Sequence, residues 1–218
     1  VKTHTIEGPC GPFLIPDAWP QAEASMLSIW GPEGEYTYPR SGPEDVLTLI
    51  DVGANIGGFI VWARKWWPSL TEIVAYEPAD DAYMLMLHNV RGMGVAMYQG
   101  AVTTRQNVVL AVEIAQPENW GGRFAADAPT WPADKYLPTV HPRDLPPCDV
   151  LKLDCEGAEL EIIENYPHLS ACCIVLVEIH RGAYLHPIHD KLTGFGFVMK
   201  RGNLVADDCD VRVYVRGP

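Results

Sequence analysis

Apolar positions along this chain form short β-branched runs separated by stretches of helical spacing, the pattern of alternating strands and helices. The first run, Val46 to Ile50, is broken by glycines, and apolar residues then recur at helical intervals at Phe59, Ile60, Ala63, Trp66 and Trp67. This reads as strand, turn and helix. A second strand ends at Glu77, Asp80 or Asp81 can cap the following helix, and Met84 and Leu87 supply part of its inner face. A third strand is expected over Val95 to Ala101, with a further extended run over Val108 to Ile114. Strand four is Val150 to Leu153, ahead of a helix with a Leu160, Ile163 and Tyr166 stripe, and strand five is Cys173 to Ile179. A helix within Tyr184 to Leu192 and a sixth strand at Phe197 to Lys200 follow. Val205 and Val211 to Val215 then suggest a closing antiparallel hairpin around Asp207 to Asp210. Strand-helix alternation predicts an α/β fold with a mostly parallel central sheet and right-handed crossovers. Pro9 to Pro43 and Pro117 to Pro147, rich in proline, glycine and tryptophan, read as loops rather than long regular elements.

The junction after the first strand carries the chemistry. In Asp51-Val52-Gly53-Ala54-Asn55-Ile56-Gly57-Gly58-Phe59 a glycine turn lets a ligand approach the backbone and the amides of a helix N-terminus. Glu77 follows Gly57 by 20 residues, where a carboxylate can accept both hydroxyls of a ribose. An adenosine is the expected ligand fragment. A dinucleotide turn needs glycine where Asn55 stands, and no phosphate-cradling G-x-x-x-x-G-K-[ST] string occurs, so a pyrophosphate is not indicated. The negative Asp51 suits an amino-acid ammonium instead. S-adenosyl-L-methionine meets these requirements, with Asp51, Gly53, Ala54, Asn55, Gly57, Gly58, Phe59, Glu77, Pro78, Gly100 and Ala101 as its expected contacts.

Together with Tyr76-Glu77-Pro78, His88-Asn89-Val90, the string Leu151-Lys152-Leu153-Asp154-Cys155-Glu156-Gly157-Ala158-Glu159-Leu160, and Val177-Glu178-Ile179-His180, the turn resembles the FkbM-type S-adenosylmethionine-dependent methyltransferases. The likeness covers roughly residues 46 to 200. Cys155 departs from the aliphatic residue usual there, and few residues precede the first strand. The resemblance implies a Rossmann-like class I methyltransferase fold, with residues 1–45 as an N-terminal cover and 46–218 as the core of a single domain. It also implies methylation of a hydroxyl on a sugar, polyketide or other small metabolite.

Composition narrows the partners. Lys and Arg total 16 against 28 Asp and Glu, for a formal net charge of -12, which disfavours nucleic acid because phosphates need clustered cations. No run approaches the ~20 apolar residues of a membrane span and no basic-then-apolar leader is visible, so a cytoplasmic protein acting on a small-molecule acceptor is expected. Its oligomeric state is open. The six cysteines show no C-x-x-C pair and read as reduced thiols.

In open α/β sheets ligands lie beyond the carboxyl ends of the strands, which places Asp154, Glu156, Glu178 and His180 at the reacting centre. Period-two alternation puts Lys152 with Asp154 and Glu178 with His180, so all converge if strands four and five are neighbours. His180 is the expected base, its ordinary pKa of ~6.5 suiting neutral pH, with Asp154 or Glu178 orienting it. Glu159 is assigned to the start of the following helix. The same cluster could hold a divalent metal, a reading not favoured here because no second acidic string follows strand five. His186 and His189 read as solvated residues at a helix start. Asn119-Trp120-Gly121-Gly122 is a candidate acceptor loop, unless Trp120 and Trp131 simply pack on the domain. A non-catalytic S-adenosylmethionine-binding module remains an alternative, and Asn55 argues against an NAD enzyme.

Overall fold

The chain opens with an antiparallel hairpin, β1 (Thr3–Gly8) and β2 (Gly11–Pro16), followed by helix α1 (Ala22–Trp30). The computed structural model describes residues 1–32, 34–37, 45–112, 123–127, 136–180, 182–202 and 211–217. Then come β3 (Thr48–Val52), α2 (Gly58–Trp66), β4 (Glu72–Glu77), α3 (Asp80–Asn89) and β5 (Val95–Gln99). A short β6 (Ala101–Val102) pairs in parallel with β9 (Thr139–Val140), and β7 (Val108–Val112) pairs antiparallel with β8 (Arg123–Asp127). The last part holds β10 (Val150–Leu153), α4 (Glu159–Asn165), β11 (Ile174–Glu178), α5 (Leu185–Gly194), β12 (Phe197–Arg201) and β13 (Val211–Arg216).

Seven of these strands form one sheet in the order β12-β13-β11-β10-β3-β4-β5. The run β11, β10, β3, β4, β5 is parallel, while β13 runs antiparallel to both β11 and β12. Both faces are covered, so β10 and β11 are almost wholly buried and mostly apolar, with Lys152 in β10 and Glu178 at the end of β11 as the polar exceptions. Leu49, Ile174 and Leu176 face the layer of α1, α2 and α3, with Phe59, Ile60 and Met86. Ile50, Leu151, Val175 and Val177 face the α4 and α5 layer, with Ile162, Ile188 and Leu192. The sheet order brings β10 between β3 and β11, which carries the two motif turns side by side.

Several local expectations change. The segment expected to be loop from Pro9 contains β2 and α1, because Phe13, Ile15, Ala22 and Met26 find buried positions against α2 and α3. Asn89 fixes this attachment: its Oδ1 accepts from Leu14 N at 2.8 Å, and its Nδ2 donates to the Leu14 and Ile56 carbonyls at 2.9 Å each. The inner face of α3 is Ala82, Leu85, Met86 and Asn89, whereas Met84 is exposed. Neither Asp80 nor Asp81 is the N-cap; both fall in the first turn, and Ala79 N donates to Glu77 Oε1 at 2.8 Å. Gly100 interrupts the third strand, since a side chain there would meet the Pro138 carbonyl. The turn around Asp207 to Asp210, Cys209, and the Asn119 to Gly122 and Trp131 positions lie outside the described residues. Among the described helices none is long and apolar enough to cross a membrane.

Gly53 combines a φ of +76° with a position where a Cβ would lie 1.7 Å from the Asp154 carbonyl oxygen. Gly196 has a φ of +84° but open space around it. Gly53→Ala should therefore cost more than the ~1–3 kcal/mol typical of left-handed strain, and Gly196→Ala no more than that range. Urea denaturation of both variants measures the difference.

Candidate active site

The turn after β3 is tied to the end of β4 by its own amides. Gly53 N and Ala54 N both donate to the Tyr76 carbonyl at 3.0 Å. Asn55 adopts a left-handed φ of 49°, and its N donates to Glu77 Oε2 at 2.8 Å. One carboxylate thus bridges two turns, accepting from Asn55 and Ala79. Beside it opens a cleft enclosing about 630 Å³ of empty space, open solvent at its mouth included. Gly53, Asn55, Glu77, Pro78, Gly100 and Ala101 line it, as does Tyr76, which stacks on Tyr98 with ring centres 5.3 Å apart. At its other end stand Asp154, Cys155 and Glu156.

The remaining residues expected to touch a ligand are not among those lining this cleft. Asp51 is fully buried, with Lys152 Nζ 3.0 Å from its Oδ1, so its charge is matched inside the protein rather than at the cleft. Ala54 is packed into the core. Gly57 has a φ of +89° and lies against Val90 and Met86 of α3's end, while Gly58 lies against Met26 of α1. Phe59 belongs to an aromatic group with Tyr36 and Trp62. These glycines serve helix packing, a role that looks the same in sequence as ligand approach.

Lys152, directly across from Asp51 in the β3–β10 register, is 3% exposed and gathers three partners. Its Nζ lies 3.0 Å from Asp51, 3.2 Å from Asp154 Oδ2 and 2.8 Å from the Gly53 carbonyl. Burial alone would lower its pKa, but the charges of Asp154 and Asp51 outweigh that and hold it above its ordinary value. Burial in turn raises Asp51, with Lys152 opposing.

On the next strand, His180 meets four carboxylates. Its Nδ1 is 2.8 Å from Glu159 Oε1, and its Nε2 is 3.5 Å from Glu156 Oε1, 3.6 Å from Asp154 Oδ1 and 3.7 Å from Glu178 Oε1. The convergence expected from β10 and β11 is present. The expected orienting group is not the one found: Glu159, fully buried, holds the ring, and the same oxygen accepts from Gly157 N at 2.9 Å and Cys155 N at 3.3 Å. With carboxylate oxygens facing both nitrogens, the ring is a donor and a poor proton acceptor. Burial disfavours its charged form, yet the Glu159 hydrogen bond and the charges of Asp154 and Glu156 prevail and push it up to about 10. The basis for His180 as base at neutral pH is thereby removed. Glu178 is pushed up to about 9, first by burial and then by Asp154, with His180 opposing.

Sequence reasoning underrated Glu159, although a signal was there. It shares the inward face of α4 with Ile162 and Ile163, where a charged residue requires a partner. By contrast His186 is exposed, while His189 is partly buried, its Nδ1 3.2 Å from the Tyr214 hydroxyl.

The profile described as Methyltransferase FkbM domain matches residues 51–199, which include every residue of both clusters. The chain belongs to the FkbM methyltransferase family. An FkbM methyltransferase structure from Methylobacillus flagellatus KT is similar with a TM-score of 0.53 at 14% identity, covering 92% of this chain and 55% of that one. The chain therefore spans little more than half of that relative's length. Looser similarity extends to a precorrin-6y C5,15-methyltransferase from Geobacter metallireducens, with a TM-score of 0.48, 14% identity and 93% of each chain covered. Aeropyrum pernix fibrillarin with bound S-adenosyl-L-methionine gives a TM-score of 0.47 at 13% identity, covering 97% of this chain and 81% of that one. No functionally curated protein matches in sequence. At 14% identity the Methylobacillus structure speaks to the fold alone, which is the class I methyltransferase fold.

In this FkbM-family chain the Lys152 network should be a stability element as much as a site element. Lys152→Met leaves Asp51 charged and buried without a cation, for an expected loss of ~3–5 kcal/mol in urea unfolding. Adding Asp51→Asn should restore much of it, as a double-mutant cycle would show.

Proposed function

We propose that the protein transfers the methyl group of S-adenosyl-L-methionine to a hydroxyl oxygen of a small-molecule acceptor. The observation that carries this reading is one continuous cleft lined at one end by Asn55 and Glu77 and at the other by Asp154 and Glu156. The cleft suits the cofactor: Glu77, which also orders the amides of Asn55 and Ala79, stands in its wall, where a carboxylate can accept ribose hydroxyls. Family membership supports methyl transfer as the chemistry. The formal net charge of -12 and the carboxylates at the cleft support a neutral small molecule over a phosphate-bearing acceptor such as RNA.

The cofactor supplies an electrophilic methyl group, and an acceptor oxygen that attacks it leaves S-adenosylhomocysteine. The chain's contribution is positioning, which can supply roughly 7–11 kcal/mol, and removal of the hydroxyl proton. Glu156 takes that proton. It lines the cleft and sits at a left-handed φ of 56°, a strained state for a non-glycine residue and one associated with functional turns. That backbone bend turns the chain from β10 towards α4, and Glu156 lines the cleft together with Asp154. His180, held by Glu159, organises the carboxylates rather than accepting the proton.

Calorimetric titration with S-adenosylhomocysteine tests the cofactor reading. Selective binding over NAD⁺ that weakens roughly 10- to 100-fold in Glu77→Ala is expected, following the ~1.5–3 kcal/mol of hydrogen bonds to a charged group. Absence of binding, or preference for NAD⁺, overturns it. Glu156→Gln should lower turnover by about 10²- to 10⁴-fold while the homocysteine product still binds as in the parent. Unchanged turnover would remove Glu156 from the role of base.

A further inference from the structure

We infer that Asp154, Glu178 and His180 form a binding site for one divalent cation, of the manganese type. One donor atom from each of the three lies within 4.8 Å of the other two. His180 Nε2 is 3.6 Å from Asp154 Oδ1 and 3.7 Å from Glu178 Oε1, and small inward movements of these side chains would bring all three onto an ion with ligand distances near ~2.1–2.2 Å. Two strands hold the donors at adjacent carboxyl ends, since β10 and β11 pair in parallel with Leu153 opposite Val177.

The ring itself is the independent indication of a ligand. Its side chain is 9% exposed, and all three carboxylate oxygens in front of Nε2 stand at 3.5–3.7 Å, beyond hydrogen-bond length. Nε2 therefore points into a group of oxygen donors at ion-pair rather than hydrogen-bond distance. Behind the ring, Glu159 is fully buried and binds Nδ1 at 2.8 Å. A carboxylate on the far nitrogen fixes ring direction in metal-binding histidines, leaving Nε2 as the ligand atom once the ion displaces its proton. Here the short contact is at the back and the open one at the front.

Two carboxylates and one imidazole suit Mn²⁺ better than Mg²⁺, which prefers oxygen alone, or structural Zn²⁺, which takes four closed ligands. Lys152 already engages Asp154 through Oδ2, leaving Oδ1 directed at His180. The role of the ion rests on the methyl-transfer reading, for a cation here would coordinate the acceptor hydroxyl and make its proton easier for Glu156 to remove. Its binding does not rest on that reading.

The test uses the full chain after EDTA treatment and dialysis, titrated with Mn²⁺ alone and followed by electron paramagnetic resonance. One Mn²⁺ per chain is expected, with a nitrogen coupling in electron spin echo spectra that disappears in His180→Gln. Glu178→Gln and Asp154→Asn should each weaken binding at least tenfold while the thermal melt stays cooperative. No binding up to millimolar Mn²⁺, or binding without the nitrogen coupling, overturns the site. S-adenosylhomocysteine titrated into the same sample separates the two readings. Product binding with no Mn²⁺ uptake sinks the metal site alone, and Mn²⁺ uptake with no product binding supports the site while sinking the methyl-transfer reading.

Discussion

The buried ammonium of Lys152 is the interaction on which the site depends. It joins Asp51 at the end of β3, Asp154 just past β10 and the carbonyl of Gly53 in the turn between β3 and α2. Two acidic residues so close to the sheet interior would otherwise repel one another and resist burial. With the lysine between them, the ends of two parallel strands are locked in register and the glycine turn is drawn against the Asp154 backbone. The absence of a side chain at Gly53 is the steric counterpart of the same lock.

A second layer of charge is built on the first. Past β10 the chain bends through Glu156 and Gly157, both at positive φ, and enters α4 with Glu159 pointing inward. Glu159 gathers the amides of the bend and His180 from the neighbouring strand, so the bend, the helix start and β11 share one carboxylate. The result is a set of acidic groups at one end of the cleft whose charges exceed the cations beside them. Burial and then the neighbouring charge of Asp154 raise Glu178, while His180 is raised against its burial by the Glu159 hydrogen bond and the charges of Asp154 and Glu156.

The other end of the cleft is organised by Glu77. Its carboxylate closes the turn at Asn55 and holds the Ala79 amide at the entrance to α3. Asn89 at the far end of α3 plays the corresponding part for the N-terminal hairpin, clasping the backbone of Leu14 and the carbonyl of Ile56. The cofactor-side turn is thereby held from β4, from α3 and from β2.

Periodicity and motif spacing by themselves determined the α/β class, the strands that bear the site, the Glu77 position and the meeting of Asp154, Glu156, Glu178 and His180. Those properties follow from local alternation and from residues that end apolar runs, and both are readable along one chain. Whether Gly57 and Gly58 admit a ligand or a neighbouring helix was decided only by the placement of α1 and α3 against α2. The same holds for Asp51, whose cation stands 101 residues away in sequence and opposite it in the sheet. The N-terminal hairpin and α1 were hidden because prolines and glycines mask a weak pattern that burial against α2 and α3 completes. Glu159 was read as a helix-start residue, and tertiary packing made it the holder of His180. A partner's identity in a buried polar contact is a matter of three-dimensional proximity, which no periodicity along the chain encodes.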